Sequence, residues 1–474
     1  MTHSLINVFG PNRPERSHYM NPEVAMPHSL NEKTPTRSSS SSKQRAKWRM
    51  KPGRRRWLVV AVLAVIAAIA AGLWWMLDPV HALTTPRVSA LNKGYALGQQ
   101  RVTILMLGNA LSIINGKDVK NPTVRDRTDA MLLVSVDTKT GQVSVLSVPR
   151  DSLVNIPHVG ETKLNEANYF GGPTLAVKEV QNMLHIPIDF YMETTMWNFA
   201  DIINQIGGLT LDVPTAMHYG GTGNYLDINL NKGVQHLNGQ QVLEFSRFRS
   251  EPMGSIGRSF QQQEVIKALM HKLLQPSNLP KLPQIALELR RDIVYTNLKD
   301  NQLLALALVA RHVSLSHVQF ATIPGTPTVR MDPYMHVKLD YWVDNSKWEG
   351  LLGDQLIMGQ PWTAAQKKSI DFEVRTGTAS LAPAQQLASW LKQQGYTVNE
   401  VIWANNHNQT QNTIVNFTGD DNFAKAIASH LGPAGSTTLS DSPYHDVPHL
   451  DMIITVGSDF KPSFTAPSTS HSAS

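Results

Sequence analysis

The stretch WLVVAVLAVIAAIAAGLWWML, Trp57 to Leu77, contains no charged side chain. At a helical rise of about 1.5 Å per residue it reaches roughly 30 Å, the depth of a bilayer's hydrocarbon core. Trp57, Trp74 and Trp75 stand at its ends, where indoles favour the membrane interface. A buried core helix is the alternative reading; a cleaved signal peptide fits poorly, because its apolar region is usually shorter. KQRAKWRMKPGRRR, residues 43–56, precedes the run with eight basic side chains and no acidic one. Basic flanks stay in the cytoplasm. The sequence therefore predicts a single-pass transmembrane helix over 57–77 in the cell membrane, with its N-terminus cytoplasmic and its bulk extracellular.

Of the formal net charge of +6, eight charges lie in residues 43–56 and one in residues 1–42, so the chain from Trp57 onward carries −3. That balance argues against nucleic acid as a partner. The absence of cysteine excludes disulfides and thiolate metal sites. Residues 1–56 are expected to be a disordered basic tail, with a serine run at 38–42, and 78–99 a tether.

Beyond the tether, strand and helix patterns alternate, which predicts an α/β fold with helices covering a sheet. RVTILMLG (101–108) reads as a buried strand, and 129–149 as two strands joined by a turn at Lys139–Gly141. Helical periodicity follows at 172–185, 198–208, 259–275 and 297–313, the last with Asn297 as expected N-cap. These elements place one domain at 100–345 and a linker at 346–369. A small C-terminal α/β domain is expected at 370–460, with strands at 370–377, 396–404, 412–418 and 451–457 and helices at 382–395 and 422–432. A disordered tail is expected at 461–474.

Several common catalytic signatures are missing, among them the phosphate loop, H-E-x-x-H and G-x-S-x-G. The polar constellation that remains is built of arginines and carboxylates. DRTDAM places Arg127 and Asp129 before one strand, and SVPRDSLV places Arg150 and Asp151 after another. Strand ends are where α/β folds put ligands, although a surface ion pair explains each motif equally simply. EFSRFRSEPMGSIGRSFQQQE (244–264) adds Arg247, Arg249 and Arg258. If the chain is extended at 247–249, two of these arginines share a side, and Arg258 begins the next helix, where free N–H groups favour an anion. Guanidinium forks match phosphate oxygens bidentately, so a diphosphate is the ligand such a set would take; solvated arginines are the alternative.

The ordered series LMLG, RTDAMLLVSVD, VSVLSVPRDSLVNIP, KLNEANYFGGPTLAVKEVQNML, NFADIINQIGGLTLDVP, LNKGVQHLNGQQVLEFSRFR and GRSFQQQEVIKALMHKL resembles the LytR-CpsA-Psr (LCP) family over roughly 100–345. Residues 370–457 look like the LytR C-terminal domain. The resemblance implies a mixed sheet flanked by helices, in a membrane-anchored, Mg²⁺-dependent phosphotransferase. It would transfer a glycopolymer, such as teichoic acid, from a polyprenyl-pyrophosphate carrier to peptidoglycan in cell wall biogenesis. It also implies Asp129 as a metal carboxylate, Arg150, Arg247, Arg249 and Arg258 as catalytic pyrophosphate contacts, and Arg127, Asp151 and Gln262 as substrate-binding residues. The sequence departs from the family pattern at Ala110, Ser255 and Gln261, where an aspartate, an aspartate and an arginine are usual. A wall-binding or regulatory scaffold and a polyprenyl-pyrophosphate hydrolase are the competing readings.

Overall fold

The computed structural model describes residues 101–109, 113–114, 117–118, 126–220, 227–248, 254–332, 336–441 and 450–464. The expected tail, transmembrane run and tether (1–99), and the last ten residues, lie outside the described residues. Among the described residues no helix is long and apolar enough to cross a bilayer.

Six strands form the first sheet: β1 (Arg101–Asn109), β2 (Thr128–Asp137), β3 (Val143–Ser147), β4 (Phe190–Thr195), β5 (Tyr295–Thr296) and β6 (Val318–Thr322), in the order β5-β4-β1-β2-β3-β6. Pairing is mixed: β1 runs antiparallel to β2 and parallel to β4, and β3 runs parallel to β6. The turn between β2 and β3 closes at Gly141, whose φ of 70° suits glycine.

Alternation along β1 divides the core in two. Leu105 and Leu107 face a cluster with Ala176, Val177 and Val180 of α1 (Glu166–Leu184), while Val102 and Ile104 pack on the other side with Leu298 and Ala305. Hydrophobic side chains on both faces explain why β1 reads as a nearly continuous apolar run. Also on the second side lie α2 (Met196–Gln205), α3 (Gly239–Arg247), α4 (Gly254–Leu273), α5 (Leu282–Leu289) and α6 (Asp300–Ala310). Several boundaries differ from the sequence reading. Asn297 does not cap α6; its amide accepts from the Tyr191 N–H and donates to the Asp189 carbonyl, and Lys299 holds the N-cap position. A side chain that ties two strands together has been drawn away from the helix start.

The second sheet comprises β7 (Asp371–Thr376), β8 (Thr397–Trp403), β9 (Asn412–Asn416), β10 (Thr437–Asp441) and β11 (Met452–Val456), ordered β8-β7-β11-β9-β10. Helices α8 (Ala382–Gln393) and α9 (Asp421–Ala428) pack beside it. Only β10 is absent from the sequence reading; its TTLSD is too polar to stand out as a strand.

The stretch 346–369 is not a loosened linker. It opens with α7 (Ser346–Leu352), continues through a π-helical turn at Gly353–Ile357 and ends with a short helix at Ala364–Lys368. Trp348, Leu351, Leu352, Ile357 and Trp362 are buried in one cluster with Leu107 and Met131 of the first sheet and Phe372, Ile454 and Phe423 of the second lobe. The strand edges meet as well: Thr322 N–H donates to the Gly419 carbonyl at 2.8 Å, and the Asn422 amide donates to the Phe320 carbonyl at 3.2 Å. A Cβ on Gly419, which has φ of 70°, would lie 1.9 Å from the Thr322 carbonyl oxygen, so only glycine allows this approach. Both lobes belong to a single compact unit.

This junction buries acids. Desolvation raises the Glu349 carboxyl to about 7 and lifts Asp344 well above its ordinary 3.8, Glu349 adding to the latter. With its folded pKa raised, Glu349 contributes stability that is fully present below the ordinary value of 4.5 and is lost as pH climbs through about 7. The urea midpoint should therefore fall across that window, and Glu349→Gln should flatten the fall. An unchanged slope in the variant would assign the pH dependence elsewhere.

Candidate active site

Between the first sheet and helices α2, α3 and α4 lies a cavity of about 680 Å³. That is within the usual range for small-molecule sites, about 300–1,000 Å³. Its wall is largely hydrocarbon, including Met106, Leu132, Phe199, Val265, Leu269 and Ile293, interrupted by Asp129, Arg150, Glu193, Arg247 and Gln262. The apolar side chains come from helical stripes and from the outward-alternating positions of β1 and β2, which fold into a wall because the helices stand off the sheet there.

Asp129 is the second residue of β2 rather than a residue ahead of it. Its carboxylate pairs with the Arg150 guanidinium, and its backbone carbonyl accepts from the Gln262 amide at 3.4 Å. Arg150 follows β3, where Pro149 ends the ladder. Its Nε lies 3.5 Å from Asp151, whose other oxygen accepts from Lys163 Nζ at 2.9 Å. The sequence Lys163–Asp151–Arg150–Asp129 thus alternates in charge and clamps the Arg150 fork from both sides. An anion arriving at Arg150 would compete with Asp129 for one edge of that fork.

Arg247 reaches the same cavity by a different route from the one expected. The expected extended stretch at 247–249 does not begin at Arg247, which is the last residue of α3. Asn238 and Gln241 form a reciprocal capping box that starts this helix, and Val242, Leu243 and Phe245 bury its apolar side. Gly239 lets it start against α2, since a Cβ there would lie 2.0 Å from the Ala200 carbonyl. The next helix begins at Gly254, so Arg258 stands a turn inside it and not at its free N–H groups. Arg249 and the side chain of Arg258 lie outside the described residues, as does Ala110.

Arg127 and Asp151 do not line the cavity. Arg127 pairs with the buried Glu166 at 2.8 Å and lies over the Tyr169 ring. Asp151 acts on Arg150 from behind. One charged lining residue escaped the sequence reading: Glu193, 2% exposed, accepts from the amides of Asn109 and Asn168. The signal was an acid inside an otherwise strand-like FYMETT, a residue type rarely buried without partners.

The donor set can be tested against Mg²⁺. Among the described residues no group of three or more His, Asp or Glu side chains could hold a metal. Asp129 supplies one carboxylate, already held by Arg150. Mg²⁺ commonly binds through one or two carboxylates plus substrate phosphates, so the site fits a cation completed by the substrate and not one held by protein alone.

The LytR_cpsA_psr family model matches residues 84–351, more than half of the chain. The chain belongs to the LytR-CpsA-Psr family. A second model, described as the LytR cell envelope-related transcriptional attenuator, matches residues 370–460. Among LytR-CpsA-Psr relatives, the polyisoprenyl-teichoic acid–peptidoglycan teichoic acid transferase TagV of Bacillus subtilis is 28% identical over 279 residues, 57% of this chain and 71% of its own. The enzyme of the same description, TagU, from Oceanobacillus iheyensis is 30% identical over 275 residues, 56% of this chain and 81% of its own. The crystal structure of B. subtilis TagV aligns with 56% of this chain and 100% of its own at 25% identity, with a TM-score of 0.46.

Proposed function

We propose that this LytR-CpsA-Psr protein is a cell-wall glycopolymer ligase, moving a phosphoglycan from a polyprenyl-pyrophosphate carrier to peptidoglycan. The observation that carries the reading is an apolar cavity whose lining includes Arg150, Arg247 and Gln262. A polyprenyl tail suits the hydrocarbon lining, and a diphosphate suits the guanidinium forks. An attacking hydroxyl of the acceptor would form the new P–O bond as the bridging P–O bond breaks, releasing polyprenyl monophosphate. Such transfers depend on positioning and charge neutralisation more than on covalent catalysis. Arg150, held by Asp129 and Asp151, offers a fixed donor to the diphosphate, and Arg247 supports it from the end of α3. Mg²⁺ held by Asp129 and the substrate's own oxygens would neutralise charge on the diphosphate. The apolar run at 57–77 and the basic run before it support a membrane-anchored protein acting on the outer face.

The test is the full chain in detergent with a polyprenyl-pyrophosphate glycan and a peptidoglycan oligomer. Polymer covalently attached to the oligomer is the expected product. Free polymer phosphate alone would make the protein a hydrolase, and no turnover with retained binding of wall material would make it a scaffold.

A further inference from the structure

The carboxyl end of β8 presents a surface that the transfer site does not use. Trp403, the last residue of β8, is 43% exposed, and the His407 ring stands beside it at 5.3 Å and 53°. Trp is highly buried on average, so an indole this exposed, with a second ring beside it, is a candidate contact surface. From Trp403 to Thr418, WANNHNQTQNTIVNFT, the sequence contains no Asp, Glu, Lys or Arg. Asn405, Asn406, His407 and Asn408 are all exposed.

The loop is also held in place. Ala404 N–H donates to the Thr376 carbonyl at 2.8 Å, and Gln409 N–H donates to the Gly377 carbonyl at 2.8 Å, so both ends are pinned to the end of β7. Between them the Asn406 side chain accepts from Asn408 N–H at 3.0 Å. A Cβ on Gly377 would lie 2.6 Å from Gln409 Cβ, which shows how closely the loop is seated. β7 runs parallel to both β8 and β11, and the carboxyl ends of parallel strands are where α/β sheets place ligands.

We propose that this surface is a second binding site, for an uncharged glycan chain. An aromatic face attracts the positively polarised C–H groups of a sugar ring, and amides, each both donor and acceptor, complement hydroxyls that are the same. A nucleic acid or teichoic acid backbone would call for cations, which the loop lacks. The site lies on the C-terminal lobe, so it stands or falls separately from the transfer reading; only the choice of N-acetylated sugars as probe draws on the peptidoglycan partner proposed above.

Titration calorimetry of the full chain in detergent with the β-1,4-linked hexamer of N-acetylglucosamine tests it. Saturable binding is expected, weakened about tenfold by Trp403→Ala and less by Trp403→Phe, which keeps a ring. His407→Ala should also weaken it, and the melting temperatures of all three should match wild type because both side chains are exposed. Arg150→Lys, altered in the cavity of the other lobe, should bind the hexamer as wild type does. No saturable binding, equal binding by Trp403→Ala, or loss of binding in Arg150→Lys would each overturn the proposal, the last by moving the sugar to the other cavity.

Discussion

Trp348→Ala is expected to lower stability by about 3–5 kcal/mol, the usual cost of emptying a large aromatic site. Trp348 is fully buried, packs against Trp362 and Phe423 with ring centroids 6.0 and 6.4 Å away, and donates Nε1–H to Asp451 at 2.7 Å. Asp451 is itself buried and also accepts from Lys347 and from the Asp371 N–H. The substitution therefore leaves a cavity and removes one donor from a buried carboxylate at the same time. Because that cluster contains residues of both sheets, the loss should be felt in both. Hydrogen exchange in strands Arg101–Asn109 and Met452–Val456 checks this. Protection should fall in parallel, and loss confined to one strand would show that the lobes are stable independently.

Arg150→Lys is expected to slow glycopolymer transfer by roughly ten- to a hundredfold, corresponding to about 1.5–3 kcal/mol for a hydrogen bond to a charged group. The guanidinium pairs with Asp129 through Nη1 while its Nε faces Asp151. A lysine keeps the charge but has one nitrogen, so it cannot be held by both acids and still offer a fixed donor to a diphosphate. Lysine keeps a positive charge between the two acids, so stability should change less than transfer does. Initial rates and urea midpoints measured together separate the two effects. A variant that transfers at the wild-type rate would remove Arg150 from the reaction.

Most of the sheet strands and the helices that cover them are legible in the sequence because their apolar periodicities are unambiguous. β1 and β2 read as strands from their own side chains, and α8 and α9 as amphipathic helices. Legibility fails where tertiary contacts decide. The segment 346–369 looks loose because its buried residues, Trp348, Ile357 and Trp362, are spaced for three short turns facing two sheets and not for one periodic helix. The arginine pair invites an extended reading of 247–249, while the helix that ends at Arg247 is signalled only by Asn238 and Gln241 at its start. Arg150 and Asp129 could be nominated from sequence, but not their mutual pairing, which depends on the register of β2 against β3. The cavity was invisible for a more general reason: the side chains that line it are the same types, at the same spacing, as those that fill a core.

The shared cluster has a consequence for the order in which the chain acquires its structure. Trp348 and Leu107 complete their surroundings only when Phe372, Phe423 and Ile454 are in place, contacts that span more than half of the chain. During synthesis the second-lobe residues of that cluster are therefore among the last to emerge. Long-range contacts of this kind slow folding.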